Sequence, residues 1–348
     1  MLEQRYAIVV YSQSSAGHRA EYNRVLSSNF DASIICGSLN ATRLLQAIKC
    51  RQFLFFSMIE ENTIAYFMIS IIRWMIGQKT GGFLFRPKQC LAINTLSRKI
   101  KFIMLRFLTM YRISNTIVLL PFDIEHGMSV ISNDWIYDMQ LWDAELLFGD
   151  TWRNRAVLKS DLKKAILEAA SGRKILISLG EQSQEKGFDL LSSIWCRSEE
   201  IRRKWLFVAA GRVARDSESR CSEFVKNGGI AINRYIEEYE MIALYGCSDA
   251  AWACYAPSYN QASGIFGRAF QAGLPIVIRR GSLLEALSKN IDAEVIPLEY
   301  GDPSSCVDAF LIPDIDVTDA DREQKVRTLG MQSIKTLSGA FFADRSKF

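Results

Sequence analysis

The chain has 348 residues, of which 49% are hydrophobic and 23% charged, and its formal net charge is +4. This length exceeds one ordinary core and predicts two domains, and the composition excludes a disordered protein. The longest uncharged apolar run, Thr63 to Ile72, is far shorter than the roughly 20 residues that cross a bilayer, which argues against an integral membrane protein. The eight cysteines are scattered without metal-type spacing and no signal peptide precedes them, so we expect thiols in a cytoplasmic protein.

The first half of the chain alternates apolar strands with helical patterns. The first strand, Tyr6 to Tyr11, runs into a loop of small residues that ends at Gly17 and His18, and a helix follows from Ala20 to Leu26. This loop lacks the pattern G-x-G-x-x-G and gives no dinucleotide signal. Further strands are predicted at 32–36, 52–58, 81–85 and 116–121. The alternation predicts an α/β fold with a doubly wound parallel sheet.

Residues 62–122 contain nine Lys or Arg residues and no Asp or Glu. Within this stretch we predict a helix from Leu96 to Tyr111 that carries apolar residues at helical spacing: Ile100, Ile103, Met104, Phe107 and Leu108. One interpretation is a core helix with a solvated basic face, and the other is a helix lying against anionic lipid. The lack of acidic residues favours a membrane surface or another anionic acceptor. Nucleic acid is not an expected partner, because no compact aromatic-basic module is present.

The second half repeats the alternation after a polar, helix-forming segment near residue 150. We therefore predict an N-terminal domain (1–150), a C-terminal domain (151–325) and a helical tail (326–348). The second domain opens with the strand Lys174 to Leu179, and Gly180 begins the loop that carries Lys186.

The stretch from Asp249 to Glu285 reads as strand, loop, helix and strand, with Ser263 as helix cap and Gly273 as helix end. In a parallel sheet such a helix begins beyond the carboxyl end of a strand, where its free N–H groups form an anion site. We expect a phosphate-bearing ligand near Ser263 and Gly264. The alternative is one more βαβ unit that binds no ligand.

Four segments between residues 174 and 310 carry a family resemblance as a set: ILISLGEQSQEKGFDLL, NRYIEEYEMIALYGCSDAAWACYAPS, SGIFGRAFQAGLPIVIRRGSLLE and AEVIPLEYGDPSSCVDAF. In this order they resemble the retaining, group-1 nucleotide-sugar-dependent glycosyltransferases of the GT-B fold. The resemblance implies two doubly wound, Rossmann-like domains that face each other across a cleft. It places the donor mostly on the C-terminal domain and the acceptor on the N-terminal domain.

Carried over by position, the resemblance implies roles for particular residues. Lys186 would offset the charge on the leaving phosphate without a metal ion or a cofactor, and His126 would lie near the transferred sugar. The implied donor-binding residues are Gly17, Gly180, Lys186, Arg234, Tyr235, Ser263, Gly264 and Arg268. His18 could face the acceptor. For each histidine and for Lys186, the alternative is a solvated loop side chain.

Three positions depart from the family pattern. Glu181 stands where the family usually has Arg, and Asn260 and Arg268 stand where it has two glutamates. Arg268 cannot accept a hydrogen bond from a ribose hydroxyl, but it could pair with the diphosphate. We therefore expect a metal-independent transferase acting at the inner face of a membrane on a lipid-linked or polysaccharide acceptor. The alternative is a non-catalytic GT-B partner or glycan-binding module.

Overall fold

A computed structural model describes residues 8–14, 18–143, 161–310 and 319–342. The chain divides into two compact units: Met1–Met139 together with Leu329–Phe348, and Gln140–Thr328. The acceptor and donor roles assigned to the two halves, and the boundaries at residues 150 and 325, stay predictions.

The first unit is built on a parallel sheet in the order β2-β1-β3-β4-β5-β6. Its strands are β1 (Ile8–Ser12), β2 (Ala32–Cys36), β3 (Phe53–Phe56), β4 (Thr80–Leu84), β5 (Asn115–Val118) and β6 (Asp134–Trp135). The helices that follow them along the chain are α1 (His18–Asn29), α2 (Ala41–Lys49), α3 (Thr63–Met75), α4 (Pro87–Leu91) and α5 (Leu96–Met110). The next helix, α6 (Met139–Trp142), belongs to the second unit except for Met139. Strand β3 is buried along its whole length, as expected for a parallel strand covered on both faces.

The second unit is built on a parallel sheet in the order β12-β11-β10-β7-β8-β9. Its strands are β7 (Lys174–Leu179), β8 (Trp205–Ala210), β9 (Ile230–Ile232), β10 (Ala250–Ala253), β11 (Ile276–Arg279) and β12 (Val295–Leu298). Its helices are α7 (Asp161–Ala170), α8 (Phe188–Arg197), α9 (Glu199–Lys204), α10 (Glu218–Lys226), α11 (Glu238–Tyr245), α12 (Gly264–Ala272) and α13 (Leu283–Ile291). The predicted α/β architecture of two doubly wound sheets is confirmed.

Each sheet has one point where the strand order reverses. In the second sheet the chain runs from β7 outward to β9 and then returns to the other side of β7 with β10. Ligands of doubly wound proteins bind at such a point, beyond the carboxyl ends of the strands. The segments after β7 and β10 are therefore the positions where a site is expected in this unit.

The last helix, α14 (Asp319–Phe342), begins in the second unit and ends in the first. Its Phe341 ring lies 4.9 Å from Phe30, 5.2 Å from Phe53 and 5.2 Å from Phe55, measured between ring centroids. The predicted helical tail is thus part of a longer helix, and its end completes the apolar core of the first unit.

Helix α5 packs on the first unit with only part of its predicted apolar positions. Its buried side chains are Leu105 and Leu108, whereas Ile103 is 64% exposed. Both interpretations of this helix, a core helix with a solvated basic face and a helix against anionic lipid, therefore stay predictions. None of the helices in the described ranges is long and apolar enough to cross a membrane. All eight cysteines lie in those ranges as free thiols, and only Cys36 is exposed.

Candidate functional site

The loops that follow β7 and β10 lie against each other in the second unit. The backbone N–H of Ala256 donates to the carbonyl oxygen of Glu185 at 3.0 Å. Gly187 has a φ of +73°, and a Cβ atom there would come within 2.0 Å of the carbonyl oxygen of Cys254. Only glycine combines this backbone conformation with such a close approach. The Glu-Lys-Gly segment is thus fixed against the end of β10.

Two tyrosine rings hold the ammonium group of Lys186. Its Nζ atom lies 3.8 Å from the ring centroid of Tyr259 and 4.5 Å from that of Tyr255. The two rings are 5.2 Å apart at an interplanar angle of 80°. A cation over two ring faces is attracted by both, so the charge of Lys186 has a defined position. Burial raises the pKa of the Tyr255 hydroxyl, and the positive charge of Lys186 opposes that shift.

The same tyrosine connects Lys186 to the start of α12. The hydroxyl groups of Tyr255 and Ser263 are 2.7 Å apart, and the Ser263 hydroxyl also accepts a hydrogen bond from the backbone N–H of Phe266. Ser263 is therefore the N-cap of α12, as the sequence predicted. A helix start offers backbone N–H groups and the positive end of the dipole to an anion. The predicted positions Ser263, Gly264 and Lys186 thus belong to one connected group.

Gly180 directly follows β7, and its backbone is in close contact with the backbone of Gly211, which directly follows β8. A Cβ atom on Gly211, at the end of β8, would come within 1.8 Å of the carbonyl oxygen of Gly180. The buried side chain of Gln182 fixes the turn by donating to that same carbonyl oxygen at 2.9 Å. This geometry leaves the backbone after β7 exposed at residues 180 and 181.

The strand register places an arginine opposite Glu181. Leu179 pairs with Ala210 and Gln182 pairs with Val213, so Glu181 lies opposite Arg212 at the ends of β7 and β8. Both side chains are exposed. A cation is therefore present opposite the position where the family that the sequence resembles usually has an arginine. Sequence reasoning missed Arg212, although the Gly-Arg pair directly after β8 was a visible signal.

Arg234 already has a partner within the unit. Its guanidinium donates to both oxygens of the Glu240 carboxylate at 2.7 and 2.6 Å. These hydrogen bonds lower the pKa of Glu240. Tyr235, next in the chain, is 63% exposed. A role in holding a base would therefore use the Tyr235 ring or the backbone more readily than the Arg234 side chain, and both assignments stay predictions.

Arg268 and Asn260 also have internal contacts. The guanidinium of Arg268 is buried, donates to the Asp143 carbonyl oxygen at 3.1 Å and to Gln271 at 2.8 Å, and lies 3.7 Å from the Asp143 carboxylate. The Asn260 side chain accepts from the backbone N–H of Leu283 at 2.9 Å, at the start of α13. Both residues thus hold helices in place, and the predicted contact of Arg268 with a diphosphate stays a prediction.

The remaining predicted residues belong to the first half of the chain. Gly17 lies outside the described residues, His18 is the first residue of α1, and His126 begins a short 3₁₀ turn after β5. Strands β3 and β4 separate β1 from β5, which corresponds to roughly 14 Å across the sheet. The two histidine positions therefore follow strands that are not neighbours.

Comparison with known proteins identifies the architecture. No protein-family model matches the sequence, and neither does any curated protein. Solved structures, however, are similar over nearly the whole chain. A UDP-forming α,α-trehalose-phosphate synthase from Burkholderia xenovorans has a TM-score of 0.63 at 9% identity, covering 97% of this chain and 99% of that one. HepE from Anabaena, solved with UDP, has a TM-score of 0.59 at 11% identity, covering 96% and 95%. WaaG, a glycosyltransferase involved in lipopolysaccharide biosynthesis, has a TM-score of 0.56 at 11% identity, covering 97% and 100%.

The chain has the GT-B fold. The predicted resemblance is therefore confirmed at the level of the fold, which is as far as such low identities reach. Within this GT-B chain, the loops after β7 and β10 bring together Lys186, Ser263 and Gly264 as predicted. They also bring in Tyr255 and Tyr259, which the sequence did not single out.

A metal ion would be held by a group of His, Cys, Asp or Glu side chains. Among the residues that the structure describes, no three His, Cys, Asp or Glu side chains form a group that could hold a metal ion. That the reaction needs no metal ion nevertheless stays a prediction, because an arrangement of side chains does not establish what a reaction requires. The groups that could bind an anion are the ammonium of Lys186 and the backbone N–H groups at the start of α12.

Proposed function

We propose that this protein is a glycosyltransferase that moves a sugar from a nucleoside diphosphate sugar to an acceptor. One observation carries the proposal: the Lys186 ammonium sits on the rings of Tyr255 and Tyr259, and Tyr255 is hydrogen-bonded to the cap of α12. A cation and a helix start therefore meet where the strand order of the sheet reverses. The GT-B fold, shared with a protein solved in complex with UDP, supports the same conclusion.

The proposed chemistry places the diphosphate at the start of α12. Negative charge grows on the leaving phosphate as the bond to the sugar breaks, and groups already aimed at that charge lower the barrier. Lys186 supplies a full positive charge, and the N–H groups of Gly264 and Ile265, which precede the capped Phe266 N–H, supply partial charges. Charge-assisted hydrogen bonds contribute about 1.5–3 kcal/mol, compared with about 0.5–2 kcal/mol for a cation–π contact. The two tyrosine rings therefore keep Lys186 in position, and a bound diphosphate adds the stronger contact.

The acceptor side of the proposal concerns the first unit. We propose a lipid-linked or polysaccharide acceptor, retention of configuration at the sugar and no metal ion, all supported by the family resemblance. His126 would lie near the transferred sugar and His18 near the acceptor. A lipid-linked acceptor would be reached at an anionic membrane surface, on the cytoplasmic side, through residues 62–122.

A second candidate function is a non-catalytic GT-B module that assists a true transferase or binds a glycan. It is favoured by the internal partners of three side chains at donor positions: Arg234 with Glu240, Arg268 with Asp143, and Asn260 with the start of α13. Such a module would bind a nucleotide without turning over a nucleotide sugar.

The two functions are separated by incubating the protein with UDP-, GDP- and dTDP-sugars and measuring thermal shift, nucleotide release and transfer. We expect a stabilising shift and turnover with at least one donor. Lys186→Ala should abolish the shift, whereas the control Lys204→Ala, which removes a lysine on α9, should leave it unchanged. No response to any donor would disprove the transferase, and a shift without turnover would favour the module.

A further inference from the structure

Helices α3 and α5 of the first unit expose an unusual number of large apolar side chains. Both helices are fully described, and these side chains are between 38% and 75% exposed: Ile64, Met68 and Met75 on α3, and Leu96, Ile100, Ile103, Phe107 and Met110 on α5. Single exposed apolar residues are normal on a soluble protein, but a contiguous group of this kind marks an interaction surface.

The five residues on α5 form one stripe on the face opposite the core. They follow one another at intervals of four and three residues, which keeps them on one side of an α-helix. Leu105, which is fully buried, lies nine residues after Leu96 and so points in roughly the opposite direction. The stripe is therefore a second apolar face and not a loosened part of the core.

The stripes of the two helices form one surface. The rings of Phe67 and Phe107 lie 6.0 Å apart and connect the outer sides of α3 and α5. We call this surface the α3/α5 face and define it by the eight exposed residues listed above. The exposed side chains of the α3/α5 face therefore belong to two helices in contact with each other, and not to a single helix.

The charges around the α3/α5 face have one sign. Lys99 and Arg106 lie beside the stripe on the helix circumference, and neither has an ion-pair partner among the described residues. No acidic residue occurs from 62 to 122. The nearest acids by sequence, Glu60 and Glu61, are engaged elsewhere: Glu61 pairs with Arg19, and Glu60 accepts from the backbone N–H of Arg86.

We propose that the α3/α5 face inserts into the surface of an anionic lipid bilayer. The apolar side chains would enter the boundary between headgroups and acyl chains, with Lys99 and Arg106 at the level of the headgroup phosphates. A second copy of the chain fits less well, because a twofold contact would bring the same cations together. The inference rests on the proposed function in one respect: membrane binding would bring the enzyme to a lipid-linked acceptor. Binding to vesicles can be measured without a nucleotide-sugar donor.

The test is co-sedimentation of the full chain with vesicles of phosphatidylcholine alone or with phosphatidylglycerol. We expect the protein to bind the anionic vesicles. Part of this binding should remain at high salt, because salt screens the cations but not the apolar contacts. The double variant Lys99→Ala/Arg106→Ala should weaken binding about 30-fold at low salt, because each cation near an anionic surface strengthens binding about five-fold. The double variant Ile103→Ser/Met110→Ser should abolish the salt-resistant part. Val225→Ser, which changes an apolar position on α10 that is 48% exposed, is the control and should bind like the wild type.

Two results would overturn this inference. The first is absence of vesicle binding by the wild type, or equal binding by the wild type and Ile103→Ser/Met110→Ser. The second is a dimer in solution that the same variant dissociates, which would assign the α3/α5 face to a second copy. Donor hydrolysis in the absence of lipid should be unchanged in the variant, so failure of this inference and failure of the proposed transferase can be told apart.

Discussion

Helices α5 and α12 show the same kind of amphipathic pattern and use it in opposite ways. Helix α12 buries Phe266, Ala269 and Phe270, and its one cation, Arg268, is buried beside an acid. Helix α5 exposes its apolar stripe, and the flanking cations Lys99 and Arg106 form no ion pair among the described residues. Periodicity therefore identifies an amphipathic helix, but the distribution of charge indicates whether its apolar face belongs to the core or to a partner.

The largest effect should follow from removing the buried cation of α12. Arg268→Ala removes a buried cation that lies 3.7 Å from the Asp143 carboxylate, and breaking a buried ion pair typically costs about 3–5 kcal/mol of stability. Arg106→Ala on α5 should change stability by less than about 0.5 kcal/mol, because that side chain is exposed. Urea denaturation of the two variants tests the contrast. Equal stabilities would mean that the Arg268–Asp143 pair does not hold α12.

Glu60 extends the comparison to a half-buried acid next to α5, and one oxygen of its carboxyl group is buried. The Lys101 ammonium of α5 lies 3.4 Å from the Glu60 carbonyl oxygen. Burial raises the pKa of the Glu60 carboxyl from 4.5 to about 7. The folded state thus keeps the proton between these pH values while the unfolded state releases it, so stability falls as the pH rises from 4.5 to 7. The loss is about 3 kcal/mol in full and is present above pH 7.

Glu60→Gln tests this pH dependence, because glutamine stays neutral and can still accept from the Arg86 N–H. We expect the variant to be more stable than the wild type at pH 8 and nearly equal to it at pH 5, measured by urea denaturation. Glu200→Gln on the exposed face of α9 is the control and should show neither difference. A variant that follows the wild type at both pH values would contradict the raised pKa.

Substitutions of Lys186 and Lys99 distinguish nucleotide binding by the second unit from membrane binding by helix α5. Lys186→Ala should weaken binding of a nucleoside diphosphate by about 10- to 100-fold, which corresponds to the loss of one charge-assisted contact. Lys99→Ala should leave nucleotide affinity unchanged and weaken only vesicle binding. Isothermal titration calorimetry with UDP and GDP gives the first quantity. Unchanged affinity in Lys186→Ala would remove the phosphate role of this lysine.

The smallest effect concerns the ring that positions Lys186. Tyr259→Leu removes one of the two cation–π contacts, worth about 0.5–1 kcal/mol, so donor affinity should fall by about two- to five-fold. Tyr259→Phe keeps a ring face and should behave like the wild type. Competition binding with a fluorescent nucleotide can resolve this difference. A loss in the Phe variant equal to that in the Leu variant would show that the hydroxyl, and not the ring, matters.

Much of the second unit could be predicted from local sequence. Lys174–Leu179 was predicted with its observed ends, because this mostly apolar run stops at Gly180. The cap at Ser263 was likewise visible as a polar residue before a helical pattern. These features depend on neighbours in the chain, which a single sequence contains.

Contacts between distant segments could not be predicted in the same way. The approach of Lys186 to Tyr255 and Tyr259 depends on β10 returning beside β7, about seventy residues later. The engagement of Arg268 by Asp143 depends on how α12 packs on α6, which neither segment specifies alone. Whether the apolar stripe of α5 faces the core or the solvent was left open for the same reason, because the periodicity of a helix does not indicate which of its faces packs on the sheet.

Helix α14 has a consequence for how the protein is made. The ring of Phe341, packed between Phe30, Phe53 and Phe55, is synthesised about three hundred residues after the strands that it covers. While the ribosome is still translating the second unit, these aromatic side chains of the first unit are not yet covered by Phe341. Exposed apolar surface makes nascent chains prone to aggregate during this period. A premature stop codon that removes only the last helix would therefore release a product with an open core near its N-terminus.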